Sequence, residues 1–405
     1  MRTGYSACFR IVTDRSVVVE FARGEMLSMN GPARGFDASS ARGWNGGDAP
    51  LRERERLTSM KALQYVEIGK PPRVQEVPTP EPGPGQVRLR VTAAGACHSD
   101  SFVMGLDEEQ YTAAYPLPMT LGHEGAGIVD KLGEGVTEVA LDDAVAVYGP
   151  WGCGRCYQCA QGKENYCERA AELGITPPGL GHDGSMAEYM IVDSPRFLVP
   201  LGDLDAAENV ALTDAGLTPY HAIKGSLAKL VPGSTAVVIG TGGLGHVAIQ
   251  ILRSLTPATV IALDVDEAKL ELAKDVGAHH AFLSNDDAVD AIRGATGQPA
   301  VTAIFDFVGA QVTADLGTKL RGTESDQVLV GVGRAEIAMG TLGSPFDATV
   351  RAPYWGSRSE LMDVLALAEA GNVKVEIERF SLDDAAEAYA RLHEGTLRGR
   401  AVVTP

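Results

Sequence analysis

The sequence predicts an α/β plus β fold, in which a β-rich domain is joined to a doubly wound parallel-sheet domain, and three features predict it. From Met60 onward, MKALQYVEIGKPPRVQEVPTPEPGPGQVRLRVTAAG alternates short β-type runs with Pro/Gly turns, as a mostly β domain would. Around residue 211 the pattern changes. STAVVIGTGGLGHVAIQILRSLTPATVIALD then reads as a buried strand, a glycine turn, a helix and a second strand ending at Asp264. Between these regions Cys153, Cys156, Cys159 and Cys167 stand in the run CGRCYQCAQGKENYC, with two, two and seven residues between them.

At 405 residues, 45 % of them hydrophobic, the chain is too long for the usual single domain, so two are expected. The first 59 residues stand apart. They hold nine arginines, no lysine and seven acids, a balance of +2, which leaves −20 of the chain's net −18 to residues 60–405. With no sustained apolar period they read as a disordered extension, with Met60 as a candidate functional start. Seven acids argue against an organelle transit peptide, and VVVEFA is too short and too far in for a secretion signal. A net charge of −18 without a basic cluster argues against nucleic acid as a partner. No stretch approaches the ~20 apolar residues that cross a bilayer. Six cysteines, five of them in candidate metal sites, suit a reducing cytoplasm better than a disulfide framework.

Within the β-rich region, two residues between cysteines let the backbone turn once and present both thiolates to one metal. Four thiolates close a tetrahedral shell that leaves no room for substrate, so Cys153, Cys156, Cys159 and Cys167 predict a structural zinc. A zinc ribbon that binds nucleic acid or protein is the competing reading, and the acidic chain and cofactor fold argue against it.

In the second region, Gly240 permits the tight turn, Gly242 lets the backbone approach a pyrophosphate, and Gly245 lets the helix pack on its strand. Gly243 and Leu244 complete a turn whose helix N-terminus offers free N–H groups to phosphate. The alternative is a purely structural βα turn. Asp264 can bind two ribose hydroxyls and would repel a 2′-phosphate, and the next residues, Val265 and Asp266, supply no cation, so NAD is favoured over NADP. AIFDFVG (303–309) and QVLVGVG (327–333) extend the sheet, with Val308 and Val332 expected near the nicotinamide.

GHEGAGIVDKLGEGV (122–136), the cysteine run and GTGGLG together resemble the zinc-containing medium-chain alcohol dehydrogenases, and the resemblance covers essentially all of residues 60–405. ACHSD (96–100), ELGITPPGLG (172–181), LTDAGLTPYHA (212–222) and PYWGSRSEL (353–361) are similar to bacterial NAD-dependent secondary alcohol dehydrogenases of broad substrate range. The resemblance implies a GroES-like catalytic domain over 60–213, a Rossmann domain over 214–349, and a return segment, 350–405, that completes the first. It also implies a catalytic zinc in the cleft between them.

Cys97 and His123 fall on the first two ligand positions of that zinc. The third usually carries cysteine and here carries Asp214, an acceptable zinc ligand of the same charge; alone, Asp214 could equally cap a helix. Glu124 resembles a glutamate near the metal, its alternative being a solvated surface acid. Asp100 matches the acid that orients the ligand histidine, or else caps a helix start. Ser99 matches the hydroxyl that hydrogen-bonds the substrate oxygen and passes its proton toward the nicotinamide ribose. Phe102 stands where many relatives continue that relay with histidine. His98 occupies a position often basic and near the pyrophosphate, or is a surface imidazole. Phe102, Leu180, Tyr354 and Trp355 resemble substrate-pocket positions, which suits apolar secondary alcohols; aromatic residues of this kind are otherwise ordinary core.

The expected activity is therefore reversible oxidation of alcohols to ketones or aldehydes with NAD, by a homodimer or homotetramer. Rival readings are a polyol or amino-alcohol dehydrogenase, with a more polar pocket, and a zinc-bearing interaction protein that has lost catalysis. A zinc-free quinone reductase of the same superfamily should lack the thiolate quartet and the Cys97/His123 pair.

Overall fold

The computed structural model describes residues 58–405, which belong to one compact unit of the chain. Of the expected N-terminal extension, residues 1–57 lie outside the described residues. Sixteen strands follow in chain order: β1 (Ser59–Tyr65), β2 (Arg73–Pro78), β3 (Val87–Ala96), β4 (Met119–Thr120), β5 (Glu124–Leu132), β6 (Ala144–Val147), β7 (Tyr189–Val192), β8 (Leu198–Pro200), β9 (Thr235–Ile239), β10 (Thr259–Asp264), β11 (His280–Leu283), β12 (Val301–Asp306), β13 (Arg321–Leu329), β14 (Thr349–Arg351), β15 (Ile377–Ser381) and β16 (Arg400–Thr404).

Three sheets result. A small antiparallel one has the order β2-β1-β4, and a seven-stranded one runs β15-β16-β3-β5-β6-β8 with β7 on β3. The third, β11-β10-β9-β12-β13-β14, is parallel at every pairing. This sheet is the α/β half of the predicted fold. Its central strand TAVVI is buried at all five positions, as a parallel strand covered by helices on both faces must be. Among the described residues no helix is long and apolar enough to cross a membrane.

Two local devices in this sheet position the cleft. Gly240 ends β9 at φ +84°, and at Gly245, the first residue of the helix Gly245–Leu255, an added Cβ would lie 1.9 Å from Gly240 O. The helix therefore closes on the strand only without a side chain. Gly245→Ala is expected to force the turn apart, weakening NADH binding at least tenfold and lowering the melting temperature; calorimetric titration and a thermal scan would measure both. The second device ends β12 sooner than the run AIFDFVG suggests. Asp306 Oδ1 accepts the N–H groups of Val308 and Gly309, each at 2.9 Å, so the chain turns there and lifts Val308 out of the sheet. β13 likewise stops at Leu329, which leaves Val332 in the following loop.

The chain's end returns to the seven-stranded sheet. β16 pairs antiparallel with β3, placing Ala401 opposite Ala96 and so bringing Arg400 beside Cys97. β3 also pairs with β5, Gly95 facing Glu124. A Cβ at Gly95 would lie 1.8 Å from Glu124 Oε2, so the glycine makes the space the buried carboxylate occupies.

Candidate metal centre and dinucleotide cleft

Cys97 follows the end of β3 and His123 precedes β5, so the pairing of these two strands sets the residues side by side. Asp214 arrives from a 3₁₀ turn, Val210–Thr213. Cys97 Sγ lies 3.4 Å from Asp214 Oδ2, which lies 3.6 Å from His123 Nε2. Tetrahedral arms of about 2.3 Å to sulfur and about 2.1 Å to nitrogen and oxygen require donor separations of about 3.4–3.6 Å. The three donors fit a zinc ion. Burial opposes charge on His123, yet the Asp100 and Asp214 carboxylates hold its pKa well above the ordinary value, so the field here favours a positive charge. The helix-capping alternative for Asp214 fails. The next helix, Leu217–Lys224, begins after Gly216, and Asp214 Oδ1 instead accepts the Thr218 hydroxyl at 2.6 Å.

Asp100 does both things open to it. Its Oδ1 accepts His123 Nδ1–H at 2.8 Å, which leaves Nε2 free to face the metal position. Its Oδ2 accepts the Cys97 N–H at 3.2 Å, at the start of the helix His98–Met104, and the Tyr389 hydroxyl at 2.8 Å. Burial, with Asp100 alongside, raises the Tyr389 pKa well above its ordinary value, so the phenol stays a donor. Tyr389→Phe is expected to lower kcat about tenfold with KM for NAD unchanged, because Asp100 loses one of its fixed partners. Steady-state kinetics with zinc content measured alongside would check it.

Glu124 is no surface acid: it is fully buried and forms an ion pair with the equally buried Arg400 guanidinium. Arg400 in turn backs the glycine turn, where a Cβ on Gly243 would meet its Cδ at 2.5 Å. One side chain thus joins the metal pocket to the turn.

The remaining expected residues gather on a single cleft of about 920 Å³. Cys97, His98, Ser99, Phe102, His123, Leu180, Asp214, Tyr354 and Trp355 line it together with Gly240, Gly242, Gly243, Leu244, Gly245, Asp264, Val308 and Val332. Its lining is mostly apolar. Asp100 and Glu124 stand behind this surface. Ser99 Oγ is 3.8 Å from Cys97 Sγ. Partial burial, with Arg400, Lys269 and His393 nearby, holds the His98 imidazole below its usual pKa. Asp264 is pinned by Thr241, whose N–H and hydroxyl donate to Oδ2 at 2.7 and 3.1 Å, so the carboxylate braces the turn from the cleft wall.

Four contributors were not foreseen. Arg400 and Lys269 line the cleft as cations, Lys269 five residues beyond Asp264. Tyr389 supports Asp100. His246, fully buried, donates Nδ1–H to Gly242 O at 2.8 Å and accepts the Glu376 N–H at Nε2 at 3.1 Å, which fixes a neutral tautomer beneath the turn; burial lowers its pKa accordingly. Lysine near the acid that ends β10 was the one local signal available.

Apart from the cleft, Cys153, Cys156, Cys159 and Cys167 converge, with Sγ separations of 4.0 Å for both Cys153–Cys159 and Cys156–Cys167. A tetrahedron with arms of about 2.3 Å has edges of about 3.8 Å, whereas a disulfide needs sulfurs at about 2.05 Å. The N–H groups of Arg155 and Cys156 donate to Cys153 Sγ and hold its pKa down to about 6, while burial pushes Cys159 up to about 12. A cation between them would make all four thiolates.

Residues 83–203 match the family described as the alcohol dehydrogenase GroES-like domain, and residues 243–370 the zinc-binding dehydrogenase family. An NAD-dependent alcohol dehydrogenase of Sulfurisphaera tokodaii is 36 % identical over 355 residues, 85 % of this chain and 100 % of the relative. A D-arabinose 1-dehydrogenase (NADP⁺) of Saccharolobus solfataricus is 32 % identical over 87 % of this chain and 100 % of its own. The crystal structure of the alcohol dehydrogenase from the archaeon Aeropyrum pernix superposes with a TM-score of 0.78 at 35 % identity, covering 85 % of this chain and 100 % of that one.

Proposed function

Because the chain belongs to the zinc-binding alcohol dehydrogenase family, we propose that it is a zinc- and NAD-dependent dehydrogenase that interconverts apolar secondary alcohols and their ketones. The observation that carries this reading is the single cleft joining the Cys97/His123/Asp214 donors to the Gly240–Gly245 turn. When bound, zinc supplies Lewis acidity to the substrate oxygen and NAD accepts the hydride.

The chain's own residues do the rest. Cys97, His123 and Asp214 hold the metal, and Asp100 aims His123 through Nδ1. Glu124, its charge balanced by Arg400, stands buried behind the metal donors and holds the Arg400 guanidinium between them and the glycine turn. Ser99 hydrogen-bonds the substrate hydroxyl and relays its proton, giving up its own hydroxyl proton toward the nicotinamide ribose as it accepts the substrate's; the neighbouring Phe102 has no donor or acceptor, so the last transfer to solvent runs through water. The N–H groups of the glycine turn, with Arg400 and His98, face the pyrophosphate, while Asp264 and Lys269 face the adenosine ribose. The backbone at Val308 and Val332 borders the nicotinamide. Phe102, Leu180, Tyr354 and Trp355 exclude water and receive the two carbon substituents of the alcohol.

A sugar or polyol dehydrogenase is the second reading, favoured by the D-arabinose 1-dehydrogenase relative. Against it, those four wall residues bring one hydroxyl and one indole N–H to the cleft, and the indole is already bonded to Thr213 O at 3.0 Å. A polyol would leave several hydroxyls without partners there.

The proposal includes a catalytic domain of 60–213 completed by 350–405, an NAD domain of 214–349, and a cytoplasmic homodimer or homotetramer. Supporting an oligomer, β14 is a sheet edge and the loop before it exposes Leu342 at 98 % and Phe346 at 73 %. The test is NADH formation from secondary, primary and polyhydroxy alcohols by protein before and after chelation and zinc restoration. Zinc-dependent turnover fastest on apolar secondary alcohols is expected. Turnover confined to polyols would favour the second reading, and no turnover by zinc-loaded protein would overturn both.

A further inference from the structure

Between the third and fourth cysteines of the thiolate cage the chain makes one 3₁₀ turn, Glu164–Tyr166. Its three side chains leave the cage in different directions. Glu164 Oε1 meets Arg196 Nη1 at 2.7 Å. Asn165, buried, donates its Nδ2 to Tyr354 O at 2.8 Å. The Tyr166 hydroxyl donates to His221 Nε2 at 2.8 Å; His221 Nδ1–H donates to Glu360 Oε2 at 2.8 Å, and that oxygen accepts the Ser357 N–H, also at 2.8 Å.

Two of the three prongs therefore end on one short segment, Tyr354–Ser357, which carries two of the four wall residues of the cleft, Tyr354 and Trp355. That segment resists its own position. Trp355 sits at φ +51°, a left-handed conformation that a bulky aromatic residue adopts only when its surroundings hold it there. Its indole N–H donates to Thr213 O at 3.0 Å, next to Asp214, and its ring meets His123 edge-on at 5.4 Å between centroids. Tyr148 adds a bond from its hydroxyl to Gly356 O at 2.8 Å. Every residue from 354 to 357 is held: the cage turn pins Tyr354 directly, and Ser357 caps the helix Arg358–Glu369 in a capping box with Glu360, whose carboxylate the cage turn reaches through His221.

We propose that the cage turn sets the substrate wall: Asn165, supported by Tyr166, is a positioning residue that fixes Tyr354 and Trp355 and thereby determines how well bulky apolar alcohols bind. The proposal rests on the alcohol dehydrogenase reading above. Asn165 lines neither the cleft nor the metal centres; it acts through the Tyr354 carbonyl. With that bond gone, the strained Trp355 relaxes toward an ordinary backbone conformation and the wall loses its fixed shape. A large substituent, which makes most of its contacts there, suffers more than a small one.

The test compares wild type, Asn165→Asp and Tyr166→Phe on 1-phenylethanol and 2-propanol, with NADH affinity, zinc content and melting temperature measured on each. Asn165→Asp puts an acceptor where Tyr354 O needs a donor. Tyr166→Phe removes one exposed hydroxyl and keeps the ring, so it leaves folding intact. The expected result is a fall of about tenfold in kcat/KM for 1-phenylethanol, carried by KM, against less than about threefold for 2-propanol, with NADH affinity and zinc content unchanged. Tyr166→Phe should shift the ratio in the same direction by less. Equal losses on both alcohols, or an unchanged ratio in both variants, would overturn the proposal while leaving the alcohol dehydrogenase reading standing. Failure of wild type to oxidise either alcohol would sink that reading instead.

Discussion

Cys97→Ala is expected to abolish alcohol-dependent NAD reduction, by at least about a thousandfold, while NADH binding changes less than about threefold. The magnitude follows from the chemistry at stake: a Lewis acid supplies several kcal/mol to charge developing on the substrate oxygen, and each ~1.4 kcal/mol is tenfold in rate. The selectivity follows from the architecture. Cys97 comes from β3 and the helix after it, whereas the glycine turn belongs to the parallel sheet, so removing the sulfur leaves the turn, Asp264 and Lys269 as they were. Metal content should fall by about half, because the thiolate cage keeps its own ion. Asp214→Asn should behave much like Cys97→Ala, since the amide weakens the third ligand. Asp214→Cys should retain metal and measurable turnover, because thiolate and carboxylate carry the same charge and both ligate zinc. Turnover by Cys97→Ala within tenfold of wild type would remove Cys97 from the metal site and the proposed mechanism with it.

What could be read in advance depended on how local each signal was. The glycine turn and the thiolate cage were legible because each is written within a few consecutive turns of chain, where residue spacing alone fixes geometry. Asp214 was ambiguous by spacing, as a ligand or as a cap, and only the position of Gly216 and the Thr218 hydroxyl separates the two. Asp100 shows that such alternatives need not compete: one carboxylate oxygen serves the backbone of Cys97 and the other serves His123.

Arg400 was hidden for the opposite reason. In RGRAVVTP it is the second of two arginines and opens β16, and nothing nearby distinguishes it. Its role exists because β16 pairs with β3 across some three hundred residues of chain, and because Gly95 leaves room for the Glu124 carboxylate it meets. Tyr389 and His246 escaped notice likewise: Tyr389 acts on Asp100, 289 positions away, and His246 is held under the turn by Glu376, 130 positions away. Trp355 could be guessed as a pocket residue, but its left-handed backbone is set by contacts to Thr213 and His123, which no local pattern encodes.

Cys159→Ser is expected to destabilise the protein by about 4 kcal/mol, or roughly 5 °C in melting temperature for a chain of this size. The reason lies in what the lobe lacks. Across residues 153–167 the buried residues are Cys156, Cys159, Glu164 and Asn165, with no aliphatic or aromatic side chain among them. Hydrophobic burial therefore contributes almost nothing to holding this stretch together; Tyr157 is 72 % exposed and Tyr166 38 %. Four sulfurs around a bound cation would replace the missing core, and the metal's binding free energy would then be the lobe's folding free energy. Removing one sulfur also leaves Cys153, held near its thiolate form by two N–H donors, facing neighbours with no shared positive charge. The parallel sheet has its own buried strands and helices, so NADH binding by Cys159→Ser should persist below the new melting point while affinity for bulky alcohols is lost through Asn165 and Tyr166. Prolonged chelation of wild type should reproduce that pattern, and zinc should reverse it. A melting temperature within about 2 °C of wild type would mean that the lobe is held by contacts other than its metal, with the Glu164–Arg196 pair and the Asn165 bond as the groups left to carry it.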